Sequence, residues 1–381
     1  MSELELLASV PTLGKLTEQF LTMKQPGPFA RLFKTNTDSA DGMVYIWPKL
    51  RNDRRLAPPS DVDVPAYIET APNERYVKTG LVHLSVKERI TPKELFIRSG
   101  IGSPLKGNAR SRIIKAVERN MARLYRGMEY ISAKVLQNTA GVDLSNSNTD
   151  FPSGATFLNE ELTIDNGLQT LAAGAQWDID TTELVSGTNQ LEDLISTFEG
   201  NGYAAGRLII NRDLAKQVSK NLEAQTWLTA NGGMTIDFWK KLLGAFGEPD
   251  AVKGIDAKLE SVLSGIGDIP IWSVWHHTYE DRSGTTTRYM DNDKSILLPS
   301  DEDIRERESL VWVDGPVIQP NEEVVIGDAA AAEDLFNVTR GVGAYAYREH
   351  DDVGALYVVH RASFLPLVKD ELSVLSHTGL Q

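Results

Sequence analysis

The residues that could do chemistry in this 381-residue chain are few and scattered. His276-His277, followed by Tyr279, Glu280 and Asp281, is the densest group of potential metal ligands. On a strand the two imidazoles would point to opposite faces, which suits one metal ion badly. A solvated strand end is the plainer expectation. Asp291-Asn292-Asp293-Lys294 begins like a calcium loop but lacks the glycine and the distant glutamate, so it reads as a tight turn between strands. Gly341-Val342-Gly343 precedes an alternating strand and not a helix, which argues against phosphate binding and for small residues packed beneath a sheet. Ser300-Asp301-Glu302-Asp303 before Ile304 reads as the capped start of a short helix. The chain contains no G-x-S-x-G, P-loop or H-E-x-x-H motif. It also has no cysteine, which excludes disulfides, thiolate zinc sites and thiol nucleophiles. No catalytic, cofactor-binding or metal site is assigned. Carboxylates brought together by folding would be invisible at this level, so a soluble α+β enzyme stays as one alternative.

The elements that must position these residues are more informative. Ile114, Val117, Met121, Leu124, Met128, Ile131 and Val135 recur at alternating steps of three and four, which holds them on one stripe of a helix. The pattern predicts a helix over about 108–138, far longer than the globular mean of about 11–12 residues. Outside the stripe it carries Arg110, Arg112, Lys115, Arg119, Arg123 and Arg126. These read either as a solvated face with small ion pairs, such as Arg126 with Glu129, or as contacts to a polyanion or a neighbouring subunit. A short amphipathic arm around Leu13, Leu16, Phe20 and Leu21 ends at Gln25-Pro26-Gly27-Pro28.

Residues 42–95 predict strands at both ends, Met43–Trp47 and Leu81–Val86, around a charged, proline-rich middle with Arg51, Arg54 and Arg55. So long an excursion suits a projecting hairpin whose partner lies on another molecule. Residues 189–325 mix helices (around 191–198, 212–222 and 236–246) with strands (206–211, 269–275, 295–299 and 310–314), as in one α+β unit. Residues 341–366 alternate on either side of His350–Gly354 and predict a hairpin.

Charge is unevenly spread over a net −14. Residues 31–135 hold 20 Lys+Arg against 11 Asp+Glu, and residues 136–381 hold 17 against 39. A basic front and acidic back fit head-to-tail meeting of copies better than nucleic-acid recognition, since the basic residues carry no recognised nucleic-acid motif. No apolar run is long enough for a transmembrane helix. Glu3 and Glu5 stand where a signal peptide would carry basic residues, so no such signal is expected.

The order of these elements resembles the major capsid proteins of tailed bacteriophages, the lambda-type capsid protein E family with the Hong Kong 97 capsid fold. The resemblance is carried by the arm and the strand pair leaving through Glu88-Arg89-Ile90-Thr91-Pro92-Lys93-Glu94-Leu95. It continues in Arg119–Glu129 of the long helix, Gly206–Asn211, Thr287–Met290 and the ending Phe364–Val368. It implies an α+β capsid fold with an N-terminal arm (1–41), an extended loop (42–95), a peripheral domain (96–188) holding the spine helix, an axial domain (189–325) and a return to the peripheral sheet (326–381). It implies a shell subunit forming hexamers and pentamers around packaged double-stranded DNA. A portal and a decoration protein are further partners of such shells, which are made in the host cytoplasm and end in the virion; no membrane is implied. Forty-one residues ahead of the loop are too few for a built-in scaffold, so a separate scaffolding protein is expected. Lys49 and Lys78 fall in the loop region, yet no catalytic glutamate for cross-linking can be named, so none is expected. Trp47, Arg51, Arg54, Arg55, Arg75 and Lys78 are the expected inter-subunit contacts. Arg110, Arg112, Lys115 and Arg119 are the expected DNA-side or inter-subunit face. An encapsulin-like cargo compartment is the alternative within the same fold.

Overall fold

A computed structural model describes residues 13, 15–19, 27–49, 75–91, 105–137, 169–171, 175–177, 179–230, 260–264, 266, 269–275, 278–280, 284–320, 336–348 and 356–378. The helices among them are α1 (Pro28–Phe33), α2 (Leu105–Gln137), α3 (Leu191–Gly200), α4 (Arg212–Val218), α5 (Leu222–Ala230) and α6 (Asp301–Glu306). The strands of the first part are β1 (Thr37–Ser39), β2 (Val44–Lys49), β3 (Arg75–Gly80), β4 (Val82–Ile90) and β5 (Gln169–Thr170). The middle adds β6 (Arg207–Asn211), β7 (Glu260–Ser264), β8 (Ile271–Trp275), β9 (Thr278–Glu280), β10 (Thr286–Arg288), β11 (Lys294–Leu298) and β12 (Leu310–Asp314). The last are β13 (Pro316–Pro320), β14 (Phe336–Arg340), β15 (Val342–Arg348), β16 (Leu356–Val368) and β17 (Leu375–Thr378).

The 33 residues of α2 make a strut of roughly 50 Å at ~1.5 Å per residue. Six of the seven stripe residues are buried; Ile114 is half-buried and Ile113 takes its place inside. A repeat of 3.5 on a helix of 3.6 drifts by about 20° per heptad, so the stripe slides by a residue along so long a helix. From Met128 to Gln137 nearly every side chain is buried, Glu129 and Ser132 included. That end of the helix is enclosed on all sides, which a one-sided stripe does not predict.

Two sheets share this helix. In the first, β16 pairs antiparallel with β4 along one edge, from Val82 opposite Phe364 to Ile90 opposite Leu356. Its other edge takes β15 and then β12, and β12 carries β1 in parallel. Val82, Ile90, Val358, Ala362 and Phe364 meet Val117, Met121 and Leu124 in one core. Gly127 sits where α2 crosses β4: a Cβ there would come within 2.7 Å of Leu84 Cδ1, so the helix interior accepts a residue of poor helix propensity. The second sheet runs β5-β17-β11-β6-β8-β7, and α3, α4 and α5 contribute to the core that covers one of its faces.

The second sheet is fastened to the C-terminus of α2 by polar groups. Gln137 donates to Tyr289 O at 2.7 Å and accepts from Asp291 N at 2.8 Å. Lys134 pairs with Asp291 at 3.2 Å, and Lys294 donates to Gln137 O at 3.5 Å. Cations and donors there satisfy carbonyls that a helix end leaves open. The Asp291–Lys294 segment is thus the expected turn, and its acid braces the helix. Ser300 caps α6 as expected, accepting from Asp303 N at 3.1 Å.

The sheets cut across the boundaries expected from sequence. β12 and β13, read as part of the 189–325 unit, join or adjoin the first sheet, whereas β17 at the far C-terminus crosses into the second. Chain order does not reveal which sheet will take an apolar strand. The hairpin of 42–95 is corrected likewise: β2 pairs with β3, and the strand at 82–90 leaves that ribbon to enter the first sheet. The expected helix at 236–246, the turn at 350–354, and His276, His277 and Asp281 lie outside the described residues.

Candidate assembly interface

Besides the short β9–β10 pair, two antiparallel ribbons stand apart from the main sheets: β2–β3 and β13–β14. Each has one face rooted in the protein. In β2, Tyr45 and Trp47 point inward and stack with centroids 6.0 Å apart. Trp47 packs with Ala40, Leu81, Val311, Val313, Leu365 and Leu367 on the side of the first sheet away from α2. The Tyr45 hydroxyl donates to Asp38, and burial together with that carboxylate raises the phenol pKa. The alternate residues face out: Val44 is 40% exposed and Ile46 60%, with Lys78 exposed directly across from Ile46.

The second ribbon repeats the arrangement. Val317 and Gln319 are buried, and Gln319 donates to Thr339 Oγ1 at 3.0 Å. Gln319 lies across Gly343, where a Cβ would overlap its amide; this is the packing reason for the second glycine of Gly341-Val342-Gly343. Ile318 and Val338 are a cross-strand pair, 39% and 64% exposed. Full burial of such a side chain is worth about 1.5–3 kcal/mol, so each ribbon leaves a few kcal/mol of apolar driving force unused. Prolines at both ends of β13 mark it as a strand that cannot sit inside a sheet, a signal that the reading of the sequence above did not use.

Of the expected contacts, Trp47 is corrected: it is 2% exposed and anchors its own ribbon, because the strand's alternation turns it toward the core. Arg51, Arg54 and Arg55 lie outside the described residues. Arg75 is at the far end of β3 opposite Lys49, and Lys78 faces water. On α2, Lys115 and Arg119 are exposed and Arg112 is half-buried; the side chain of Arg110 is outside the described set. Arg119 forms an ion pair with Glu88 of β4, so part of that basic face braces the first sheet. Among the described residues no group of three His, Cys, Asp or Glu could hold a metal ion.

How the arm is held is not legible from local pattern. Glu129, expected to pair along the helix surface with Arg126, turns inward, is 1% exposed, and accepts from the amides of Phe29 and Ala30, each at 2.9 Å. A carboxylate at the N-terminus of α1 meets orphan donors there and the positive end of the helix dipole. Nearby, Asn120 donates to Val358 O at 3.1 Å, with His360 Nδ1 3.3 Å away, and His360 Nε2 lies 3.4 Å from Thr17 Oγ1 of the arm. Burial pushes the His360 pKa down to about 4.

No family model and no curated protein matches the sequence. Solved structures do. A protein described as a candidate capsid protein of a prophage from E. coli CFT073 shares 12% identity at a TM-score of 0.57, over 97% of this chain and 98% of that one. The capsid of Myoviridae phage XM1 (13% identity, 94% and 93% coverage) has a TM-score of 0.42. A virus-like particle from Pyrococcus furiosus (10% identity, 97% and 98% coverage) has a TM-score of 0.41. The first of these matches along nearly the full length of both chains. This chain has the α+β capsid fold of the Hong Kong 97 type.

Proposed function

We propose that this protein is the major capsid protein of a tailed bacteriophage, a structural subunit that self-assembles into an icosahedral head shell around double-stranded DNA. The observation that carries the reading is a fold shared along 97% of the chain with the prophage capsid protein. The two ribbons support it, since each holds an apolar face in water from a rigid root, as a subunit awaiting neighbours would. Closed shells repeat each contact many times, so modest individual contacts suffice.

In this reading the ribbon at 44–80 is the extended loop, with Arg51, Arg54, Arg55, Arg75 and Lys78 meeting acidic residues of a neighbour. α2 is the spine helix, and Arg110, Arg112 and Lys115 face the DNA or an adjoining subunit. A separate scaffolding protein, a portal and a decoration protein complete the particle, which is built in the host cytoplasm and ends as the virion. Negative-stain electron microscopy of the purified protein, with and without co-expressed scaffold, tests the proposal. Uniform icosahedral particles or hexamer and pentamer rosettes are expected. A small oligomer under every condition would overturn it, and particles filled with protein cargo would redirect it to a compartment shell.

A further inference from the structure

At the junction of the arm and the first sheet, His360 of β16 is fully buried. Val86 of β4 and Ala344 of β15 lie directly opposite it in register, and Asn120 of α2 packs against it. Residues 15–19 of the arm are helical and lay Leu16 and Thr17 on this spot beside Leu13. We infer that His360 is a proton-gated catch for the arm: neutral, it holds this stretch down, and protonated, it releases it. The inference stands on the single chain and does not need the shell reading.

The hydrogen bonds fix which ring nitrogen carries the proton. Val358 O can only accept, so the Asn120 amide must turn its N–H groups that way. Its Nδ2 lies 3.1 Å from Val358 O and 3.3 Å from His360 Nδ1. Nδ1 is therefore the acceptor, and the ring proton sits on Nε2, which donates to Thr17 Oγ1 at 3.4 Å. A second ring proton has no place in this arrangement. It would set Nδ1–H against the amide N–H, donor against donor. Turning the amide over would bring Oδ1 to the ring, but that oxygen would then face Val358 O, acceptor against acceptor. Asn120 Oδ1 is already buried without a partner among the described residues, so the amide is held by its N–H groups alone.

No neighbouring charge relieves a protonated ring. By strand alternation β15 turns Val342, Ala344 and Ala346 to this side of the sheet, and β4 turns Leu84, Val86 and Glu88. Glu88 is already paired with Arg119 of α2. Lys115, Glu118 and Arg123 of α2 and Lys15 and Glu18 of the arm are exposed, and Lys87 and Arg361 alternate to the opposite side of the sheet. Burial alone displaces the His360 pKa, down to about 4. Relief comes from water, and the arm is what keeps water out. With Thr17 lifted, the ring edge opens to solvent and titrates near ~6.5. The proton thus binds the released state more tightly and shifts the equilibrium toward it. Between pH 7 and pH 5 the ratio of released to docked arm should rise roughly 20-fold.

Hydrogen–deuterium exchange of the full chain at pH 7 and pH 5, corrected for intrinsic rates, reads that ratio at the amides of residues 15–19. Their protection is expected to fall roughly 20-fold while the amides of α2 keep theirs. In His360→Gln, which keeps a donor and an acceptor but takes up no proton, protection should be the same at both pH values. Unchanged protection in the wild type, or an equal fall in His360→Gln, would overturn the inference. A fall shared equally by α2 would mean general loosening and overturn it as well. Should His360→Gln not fold, selective nitrogen-15 labelling of the wild-type histidines gives a second reading. His360 should show the Nε2–H tautomer at pH 7 and gain its second proton in step with the loss of arm protection. A charged His360 ring beneath a still-protected arm would sink the catch.

Discussion

The ribbons and the root of α2 invert the usual placement of residues in opposite senses. At the ribbons, valine and isoleucine stand in water. Where α2 meets the arm and the first sheet, glutamate, asparagine and histidine are sealed from it: Glu129 is 1% exposed, and Asn120 and His360 are fully buried. An exposed apolar patch or a buried polar group is what departs from the default, and here each has its own task. Buried polar groups give direction, because a hydrogen bond made out of water is costly to misplace. They hold the arm in one position. Exposed apolar groups give adhesion without direction, and the ribbon roots supply the direction from behind.

That contrast can be broken at its strongest point by removing the buried carboxylate. Glu129→Ala leaves the Phe29 and Ala30 amides without acceptors and is expected to cost about 3 kcal/mol, read as a lowered midpoint in urea unfolding. Glu129→Gln keeps the shape and one acceptor, and should fall between. A loss below about 1 kcal/mol for the alanine variant would mean the arm is held elsewhere.

Acid should act on that junction through His360, and on the second sheet through His377 of β17. His360 and His377 are buried neutral, each with a pKa lowered to about 4 by burial. In the unfolded chain they take up a proton near ~6.5, so below that pH the unfolded state binds more protons and stability falls. The contribution is whole above pH ~6.5 and is lost as pH drops toward about 4, by on the order of 3 kcal/mol for each histidine. Unfolding measured at pH 7 and pH 4.5 checks the slope, and His360→Gln should flatten it by about half of the two-histidine share. An unchanged slope would show that His360 is already protonated in the fold.

The brace on the outer face is expected to matter less. Arg119→Gln removes the exposed partner of Glu88 and should cost no more than about 1 kcal/mol, since pairs open to solvent are screened. Ribbon substitutions sharpen the comparison from the other side. Ile46→Asp and Val338→Asp should move monomer stability by no more than about 0.5 kcal/mol, as surface changes do, while assembly fails. If they unfold the monomer, the ribbons belong to its core after all.

Reading the sequence located the long helix closely because a periodicity of three and four is a local property; its observed span differs from the expected one by three residues at the start and one at the end. The strand at 310–314 and the paired strands of 342–348 and 356–368 were legible for the same reason. The ribbon at 44–49 was found, but its partner was misjudged, because 75–80 and 81–86 are both good strands and only packing decides which of them leaves for the sheet. Trp47 was misassigned to a contact between subunits because an aromatic residue in a projecting segment suits an interface as well as an anchor.

By itself, then, the sequence determined the element types, the lack of thiol chemistry, the uneven charge and the order of parts that points to a shell subunit. Each of these follows from local pattern or composition. The tertiary structure alone decided which sheet each strand joins, that Glu129 caps a helix about 100 residues away in the chain, and that Ile318 meets Val338 on an exposed face. Those are contacts between distant segments. Their energies depend on which surfaces are left uncovered once the rest has packed, and no local pattern carries that information.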